Sequence, residues 1–295
     1  MEIASRIDLR PPARRRLSLG WLWRARRDPI SLFGGAFFAF VVFASVCAPL
    51  LTPYDATKIN VMDRFQTPSL VHPFGTDDFG RDVLARVLYG GRTILLTGFA
   101  AVAGALLIGG MIGVVAGYAG GRIDTGLMRL TDIMLSFPAV LLAILIVASL
   151  GAGLVNTVIA IIFSMIPNFA RLSRARTLQI MEEQYITASQ SLGASGISLI
   201  ARHILPNLVP QLIIQTTGML AVAFSLSSAL SFLGLGVDPS IPDWGLMVSE
   251  GQRLIFDAPH VGFFPGLAIT LTILSVNFLG DGLRDRLDPA QRGAS

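Results

Sequence analysis

The run IMLSFPAVLLAILIVASLGAGLVNTVIAIIFSMIPNFA (133–170) contains 38 residues and no charged side chain. An α-helix crosses the hydrocarbon core of a bilayer, about 30 Å thick, with about 20 residues. The run is therefore too long for one crossing, and Gly151-Ala152-Gly153 interrupts it. It predicts two transmembrane helices, at about 133–150 and 154–170, joined by a glycine turn.

Four other stretches of the chain are long and apolar enough to cross a membrane. They lie at 30–51, 93–121, 208–235 and 261–280. Over the whole chain 53% of residues are apolar and 14% are charged, whereas a soluble domain carries about 25% charged residues. The 30–51 run lacks the features of a cleaved signal peptide. The sequence therefore predicts an all-α polytopic membrane protein with six transmembrane helices.

The arginines indicate the orientation of these helices, because Lys and Arg concentrate on the cytoplasmic side of membrane proteins. With the N-terminus inside, segments 1–29, 119–132, 171–207 and 281–295 hold 17 of the 23 basic residues, and the outer segments hold 6. We therefore expect cytoplasmic tails at 1–29 and 281–295. The five-helix core, 93–280, would contain a long cytoplasmic loop at 171–207.

The segment 52–92 is expected to be an external loop that contains a short amphipathic helix. Asp77 and Asp78 have the acidic character that the N-cap and first turn of a helix favour. The apolar residues that follow have helical spacing: Val83, Leu84, Val87 and Leu88. This helix would lie on the outer surface before the chain enters the bilayer.

The sequence lacks motifs for nucleotide hydrolysis and metal binding. A phosphate-binding loop needs Gly-Lys-Ser/Thr, and the only lysine, Lys58, stands in DATKIN. The histidines (His72, His203 and His260) are dispersed, and Cys47 is the only cysteine. We expect no bound cofactor or metal and no enzymatic activity of the chain's own. Nucleic acid is not an expected partner, because the arginines follow the membrane topology.

One four-residue pattern, Gly193-Ala194-Ser195-Gly196, resembles the G-x-S-G of rhomboid intramembrane serine proteases. That chemistry needs the serine within the membrane and a histidine on another helix as its base. Ser195 instead lies in the charged loop, His203 is its near neighbour in sequence, and His260 falls at an outer edge. A protease is therefore only a remote alternative.

Five amides lie within the predicted spans and are candidates for a translocation path: Asn156, Asn168, Gln211, Gln215 and Asn277. Amides at bilayer depth face other helices or water. Hydrogen bonding between helices is an equally good explanation for each of them. No charge lies in the middle of a span, which disfavours a proton relay or a fixed ion site. A self-sufficient secondary transporter or channel stays open as an alternative.

The loop 171–207 contains apolar and small residues that a simple connector does not need. Gly193 and Gly196 predict two short helices joined by a sharp bend at about 193–196. Two explanations remain open from the residues alone. The loop is either a docking site for another protein or an interfacial helix on the membrane surface.

The stretch TASQSLGASGISLIARHILPN (187–207) resembles the cytoplasmic EAA loop of ABC importer permeases. Thr187-Ala188-Ser189 aligns with the motif's small-residue triplet, Gly193 with its glycine, and Leu205-Pro206 with its end. Thr187 replaces the usual acid and His203 the usual isoleucine, as in the dipeptide/oligopeptide permease family. Three further stretches resemble the second-type permease of that family: RRDPISLFG (26–34), HPFGTDDFGRDVLARVLYGGR (72–92) and SFLGLGVDPSIPDWGLMV (231–248).

The resemblance implies a type I ABC importer permease (MetI-like) fold in a bacterial inner membrane. It implies a second homologous permease, two cytoplasmic ABC ATPase subunits that use ATP, and an external solute-binding protein. The residues implied in coupling to the ATPase are Thr187, Ala188, Ser189, Gly193, Ala194, Leu205 and Pro206. Asp243 and Trp244 are candidates for contact with the binding protein. The family and its relatives carry dipeptides, oligopeptides, glutathione or nickel complexes, and the residues do not choose among them.

Overall fold

The computed structural model describes residues 29–287, and the regular structure of this part of the chain is helical. The helices are α1 (Pro29–Val46), α2 (Ala48–Leu51), α3 (Val83–Ala119), α4 (Gly121–Leu135), α5 (Ala139–Leu150), α6 (Leu154–Met181), α7 (Gln184–Ser191), α8 (Gly196–Leu199), α9 (Leu205–Phe232), α10 (Trp244–Arg253) and α11 (His260–Leu287). A π-helical turn, Ile200–Ile204, joins α8 to α9. Most of the two predicted tails lies outside the described residues.

The predicted all-α membrane fold is confirmed. Five helical segments are long and apolar enough to cross a bilayer: α1, α3, α6, the continuous segment Gly196–Phe232, and α11. A sixth crossing results if α4 and α5 count as one span, which is bent by 90°. The predicted tail at 281–295 begins inside α11, because this helix continues to Leu287.

The directions of the helices follow from their contacts. Gly109 of α3 faces Ile166 of α6, and Gly117 faces Arg174, so these two helices run parallel. In α1, Gly34 faces Phe278 near the end of α11, so those two run antiparallel. The first and last described residues therefore lie at the same end of the bundle. We call it the arginine end, because it also carries Arg171 and the segment 182–207, and we call the opposite end the Asp77 end.

The seam between α3 and α6 is closer than ordinary helix packing. A Cβ placed on Gly109 would lie 2.5 Å from the Ile166 carbonyl oxygen, and one on Gly113 would lie 2.2 Å from that of Ala170. At Gly117 a Cβ would lie 2.7 Å from the Thr177 Cβ. Glycines spaced by four residues lie on one face of a helix and allow two backbones to approach closely. The three glycines therefore make α3 and α6 a tightly packed pair.

The apolar core lies between α3, α6, α9 and α11. Phe169 of α6 and Phe224 of α9 are fully buried in it, and Gly98 of α3 leaves room for the Phe224 ring. The helix α1 packs on the outside of this core, where Arg92 donates hydrogen bonds to the carbonyl oxygens of Ser45 and Val46. The core thus unites these four spans with buried residues of α5, and α1 contributes Val41 at its edge.

The third crossing differs from the straight helix predicted at 133–150. Its apolar helix begins at Ala139, and residues 133–135 belong instead to the amphipathic α4. Pro138 precedes α5, and a proline disfavours helical geometry in the residue before it. The chain then breaks again at Gly151–Gly153, where the sequence predicts the turn between the two spans.

The amphipathic helix predicted within 52–92 is not a separate element. Val83 instead starts α3, which runs for 37 residues without a break. Asp82 is its N-cap, and its Oδ1 accepts a hydrogen bond of 2.7 Å from the Ala85 N–H. The prediction that Asp77 and Asp78 begin this helix is wrong, because both lie in the loop before it.

Candidate functional site

The segment 182–207 forms a bent pair of short helices at the arginine end. α7 ends at Ser191, and Gly193 has a φ of +83°, a left-handed conformation that favours glycine. The Gly193 N–H donates to the Gln190 carbonyl and the Ala194 N–H to the Ser189 carbonyl, which closes the turn. Ser195 then caps α8. The structure places the bend where the two glycines predict it.

Some apolar side chains of this segment are buried against the bundle, and others are exposed to solvent. Ile186 and Leu199 are fully buried against the bundle. Leu192 and Ile197, which stand on either side of the bend, are 89% and 83% exposed. An exposed apolar pair on an anchored support is typical of a protein contact surface. We call the four-residue stretch Leu192–Ser195, together with Ile197, the bend surface.

The residues predicted to couple the chain to a partner lie on or beside this bend. Thr187, Ala188, Gly193 and Pro206 are exposed, and Ser189 and Ala194 are half-buried. Leu205 is also exposed and begins α9. The structure therefore brings the predicted residues together at the arginine end of the bundle. Leu205 and Pro206 lie at the start of α9, and the others lie on or beside the bend.

Three residues that support the bend were not identified from the sequence. The Asn207 side-chain amide donates to Tyr185 Oη (3.3 Å) and to the His203 carbonyl (2.7 Å), which ties α7 to the start of α9. Tyr118, near the end of α3, lies so close to Gly196 that a Cβ there would be 2.5 Å from its hydroxyl. These polar contacts join parts of the chain that no local pattern connects.

The serine of the G-x-S-G pattern has a structural role. Ser195 Oγ accepts a 3.4 Å hydrogen bond from the Ser198 N–H as the cap of α8. His260 lies at the Asp77 end, where its Nε2 pairs with the Thr76 carbonyl oxygen at 3.0 Å. The His203 ring packs near Tyr185. Within residues 29–287, no hydrogen bond joins Ser195 to either histidine.

The five candidate path amides do not form one cluster. Asn156 donates to the carbonyls of Leu150 and Gly151, and so closes the turn between α5 and α6. Gln211 and Gln215 are half-buried on α9, one turn apart. Asn168 is half-buried on α6, and Asn277 is exposed on α11. Only Asn156 has an evident structural partner among the described residues.

A buried ionic cluster at the Asp77 end was not predicted. Asp77 accepts hydrogen bonds from Arg81 Nε (2.7 Å) and Arg86 Nη1 (2.6 Å). The same Arg86 nitrogen donates to Glu250 of α10 at 2.8 Å. Asp77 is fully buried, and Arg86 is 1% exposed. We call these four residues the Asp77 cluster, and it fastens the loop before α3 to both α3 and α10.

Asp243 and Trp244, the candidates for contact with an external protein, are both only 2% exposed. Asp243 Oδ1 accepts from the Leu246 N–H as the cap of α10, and Trp244 Nε1 donates to the Val87 carbonyl at 2.7 Å. Trp244 thus holds α10 against α3, Asp243 caps α10, and neither side chain presents a surface to a partner. Ile255 and Phe256, a few residues further on, are exposed.

The half-buried Asp78 beside this cluster provides a pH-dependent test. Burial raises the pKa of its carboxyl, and the Asp77 and Glu250 carboxylates raise that pKa further. Because a raised pKa in the folded state means that stability is lost as pH rises through it, Asp78→Asn is expected to raise the Tm at pH 7. The advantage should shrink as pH falls towards the ordinary value of 3.8. Thermal unfolding of the purified protein between pH 4 and 8 measures this difference in Tm.

Asp55→Asn is the matched control for this prediction. Hydrogen bonds from Thr57 lower the pKa of the Asp55 carboxyl, so its contribution to stability is present at neutral pH and lost at acid pH. The control variant should therefore have an unchanged or lower Tm at pH 7. A lower Tm for Asp78→Asn at pH 7 would contradict the role assigned to burial.

Comparisons with known proteins agree with this architecture. Residues 109–293 match the model of a family described as the inner membrane component of binding-protein-dependent transport systems. Residues 19–68 match the N-terminal transmembrane domain of oligopeptide transport permease C. The chain is similar to a solved structure of the inward-facing methionine ABC transporter MetNI, with a TM-score of 0.57 at 18% identity, over 68% of this chain and 96% of that one.

Two curated relatives are similar over nearly their whole length. The dipeptide transport system permease protein DppC of Alkalihalophilus pseudofirmus is 42% identical over 267 residues, which cover 90% of this chain and 88% of that protein. The glutathione transport system permease protein GsiD of Pectobacterium atrosepticum is 40% identical over 269 residues, 90% of this chain and 89% of that protein. With its bundle of apolar helices, this chain belongs to the dipeptide/oligopeptide family of inner-membrane permease subunits of ABC importers.

Proposed function

We propose that this permease subunit imports a peptide-type solute, with the arginine end in the cytoplasm. The 17 basic residues of the segments predicted to be cytoplasmic support this orientation, against 6 in the outer ones. Both termini would then be cytoplasmic. The names of the relatives support a dipeptide, an oligopeptide or glutathione as the solute class.

The proposed assembly contains a second, homologous permease, two cytoplasmic ATPase subunits and an external solute-binding protein. ATP would be bound and hydrolysed by the ATPase subunits and not by this chain. At the Asp77 end, Phe256 is 97% exposed and stands beside the exposed Ile255. We assign the contact with the binding protein to this pair, in place of the buried Asp243 and Trp244.

The proposed path runs along one face of α9. Gln211 and Gln215 lie on this face, and the exposed Gly218 and Ser225 continue it at helical spacing towards the Asp77 end. No residue of α9 is charged. An uncharged polar face offers hydrogen bonds to a peptide backbone without holding it tightly. Asn168 and Asn277 are further candidates on α6 and α11.

The observation that carries the proposed coupling role is the exposure of Leu192 and Ile197 on the bend surface. A partner that covers these two side chains removes apolar area from water. This stabilises the contact by about 25 cal/mol per Å² of that area. An apolar groove on the ATPase would fit them. Because Ile186 and Leu199 anchor the same segment in the bundle, movement of the partner would be passed to α6 and α9.

Leu192→Asp is expected to reduce ATP-driven uptake more than about tenfold, because a carboxylate would replace an apolar contact and be desolvated in the groove. The variant permease should still insert and fold, since the side chain is exposed. Co-purification of the ATPase with a tagged permease, and solute uptake in proteoliposomes, measure the two effects.

Leu70→Asp is the matched control, because Leu70 is fully exposed at the Asp77 end. It should leave ATPase binding unchanged. Normal ATPase binding and uptake by Leu192→Asp would refute the coupling role of the bend surface. Solute movement by the isolated permease without an ATPase would instead support the secondary transporter.

A further inference from the structure

The third crossing of the bundle is too short to span a bilayer as a helix. α5 has 12 residues, which corresponds to about 18 Å of the roughly 30 Å needed. The amphipathic α4 before it is turned by 90°. The remaining height must be covered by the non-helical residues between them, Ser136–Pro138.

Contacts to α6 show how deep this break lies. The Ser164 hydroxyl is 3.2 Å from the Ala139 carbonyl oxygen, so Ala139 stands at the level of Ser164. Arg171 follows seven residues later on the same helix, which corresponds to about 10 Å along its axis. Arg171 also pairs with Asp132 of α4 at 2.6 Å. Because charged side chains are costly inside a bilayer, we place this pair at the edge of the hydrocarbon core, and Ala139 then lies about 10 Å inside it.

The break is exposed although it lies at membrane depth. Ser136, Phe137, Pro138 and Ala139 are all exposed in the described chain. The N–H groups of Ser136 and Phe137 pair with carbonyls of α4, but the first N–H groups of α5 have no intrahelical partner. Backbone with such groups persists inside a bilayer only where it is buried in protein or faces water. An exposed break of this kind therefore cannot be lipid-facing.

A polar cavity lies at the level of the arginines. It has a volume of about 370 Å³ and is lined by Met128, Asp132, Arg171 and Arg174. Asp132 precedes Ser136 by one helical turn, so the cavity lies next to the break. Charged side chains such as these face water, so the cavity is expected to be hydrated. The exposed backbone of the break extends from this cavity into the membrane.

We infer that Ser136–Ala139 lines a water-filled recess, which opens at the arginine end and reaches about 10 Å into the membrane. The recess is uncharged along the break and provides the unpaired N–H groups at the start of α5 to a solute or to water. The inference rests on the chain being a membrane-spanning permease subunit, and it is independent of the proposed ATPase contact.

Cysteine labelling in the assembled transporter tests the recess. Cys47 is the only cysteine of the chain, so Cys47→Ser provides a background without thiols in this subunit. Ala139→Cys and Phe137→Cys are then treated in membranes with a charged, membrane-impermeant methanethiosulfonate, applied to either face. The recess predicts modification from the arginine-end face at a rate at least about tenfold above that of a lipid-facing thiol, because the reactive thiolate needs water.

Two exposed apolar positions at the same depth serve as controls. Phe163 adjoins Ser164, and Leu107 of α3 stands between Gly104 and Gly109, which face Ile162 and Ile166 of α6. Their cysteine variants should react slowly. If Ala139→Cys and Phe137→Cys were as slow as these controls, the break would be covered and the recess refuted. Equally fast labelling at all four positions would refute the depth assignment. Labelling needs no ATP, so failure of the ATPase contact leaves this readout unaffected.

Discussion

Replacing Gly113 with leucine is expected to prevent assembly of the bundle. A Cβ at this position would lie 2.2 Å from the Ala170 carbonyl oxygen, 2.6 Å from the Ser173 Cβ and 2.8 Å from the Arg174 nitrogen. Two of these three atoms are backbone, so no side-chain rotation relieves the overlap. Overpacking a well-packed core costs about 1–3 kcal/mol when side chains can move, and a clash with backbone should exceed that range. The expected result is a loss of monodisperse, folded protein, measured by size-exclusion chromatography and thermal unfolding in detergent.

Gly126→Leu is the control for this substitution. Gly126 is also within a helix, but a Cβ there meets no atom within 4 Å. Leucine has a higher helix propensity than glycine, so this variant should be at least as stable as the original. A Gly113→Leu protein with an unchanged Tm would show that α3 and α6 separate easily, contrary to the close seam described above.

Arg86→Met is expected to have the second largest effect. It removes one of the two arginines that pair with both Asp77 and Glu250 and leaves a fully buried carboxylate with less compensation. Removing one partner from a buried ion pair costs about 3–5 kcal/mol. Unfolding of the purified permease in denaturant should show a destabilisation of that order, and limited proteolysis should cleave the loop before α3 more readily.

The double variant Arg86→Met/Asp77→Asn should recover part of this loss, because it removes the uncompensated charge. Arg253→Met is the control on α10, since Arg253 is exposed and forms no ion pair within residues 29–287. Equal destabilisation by Arg253→Met and Arg86→Met would mean that general surface charge, and not the Asp77 cluster, stabilises this end.

The apolar crossings could be predicted because each depends on a local property, the absence of charge over about 20 residues. The start of the third helix could not be found in this way. Residues 133–135 are uncharged like a span, yet they end the amphipathic α4. Pro138 was the available signal, because proline marks the boundary of a helix more reliably than hydropathy does.

The candidate site could also be predicted only where it depends on local sequence. The glycine at 193 indicates a bend without knowledge of the fold, because a left-handed backbone favours glycine wherever it occurs. Asp77 was misassigned to a helix start, since aspartates also favour that position. Its true environment includes Glu250, which bonds to Arg86 across 164 residues of sequence. Trp244 and Asp243 have the polar and aromatic character of a binding surface, but only tertiary structure shows that α3 covers them.

The glycine seam between α3 and α6 has a mechanical consequence. Two helices in backbone contact over about two turns resist sliding and bending more than either does alone, and so they move as one rigid unit. The segment 182–207 continues directly from one of these helices, and Tyr118 of the other contacts it at Gly196. A force applied at the bend surface would therefore rotate both helices together. This rotation would reach along the full length of α3, from the bend to the Asp77 cluster.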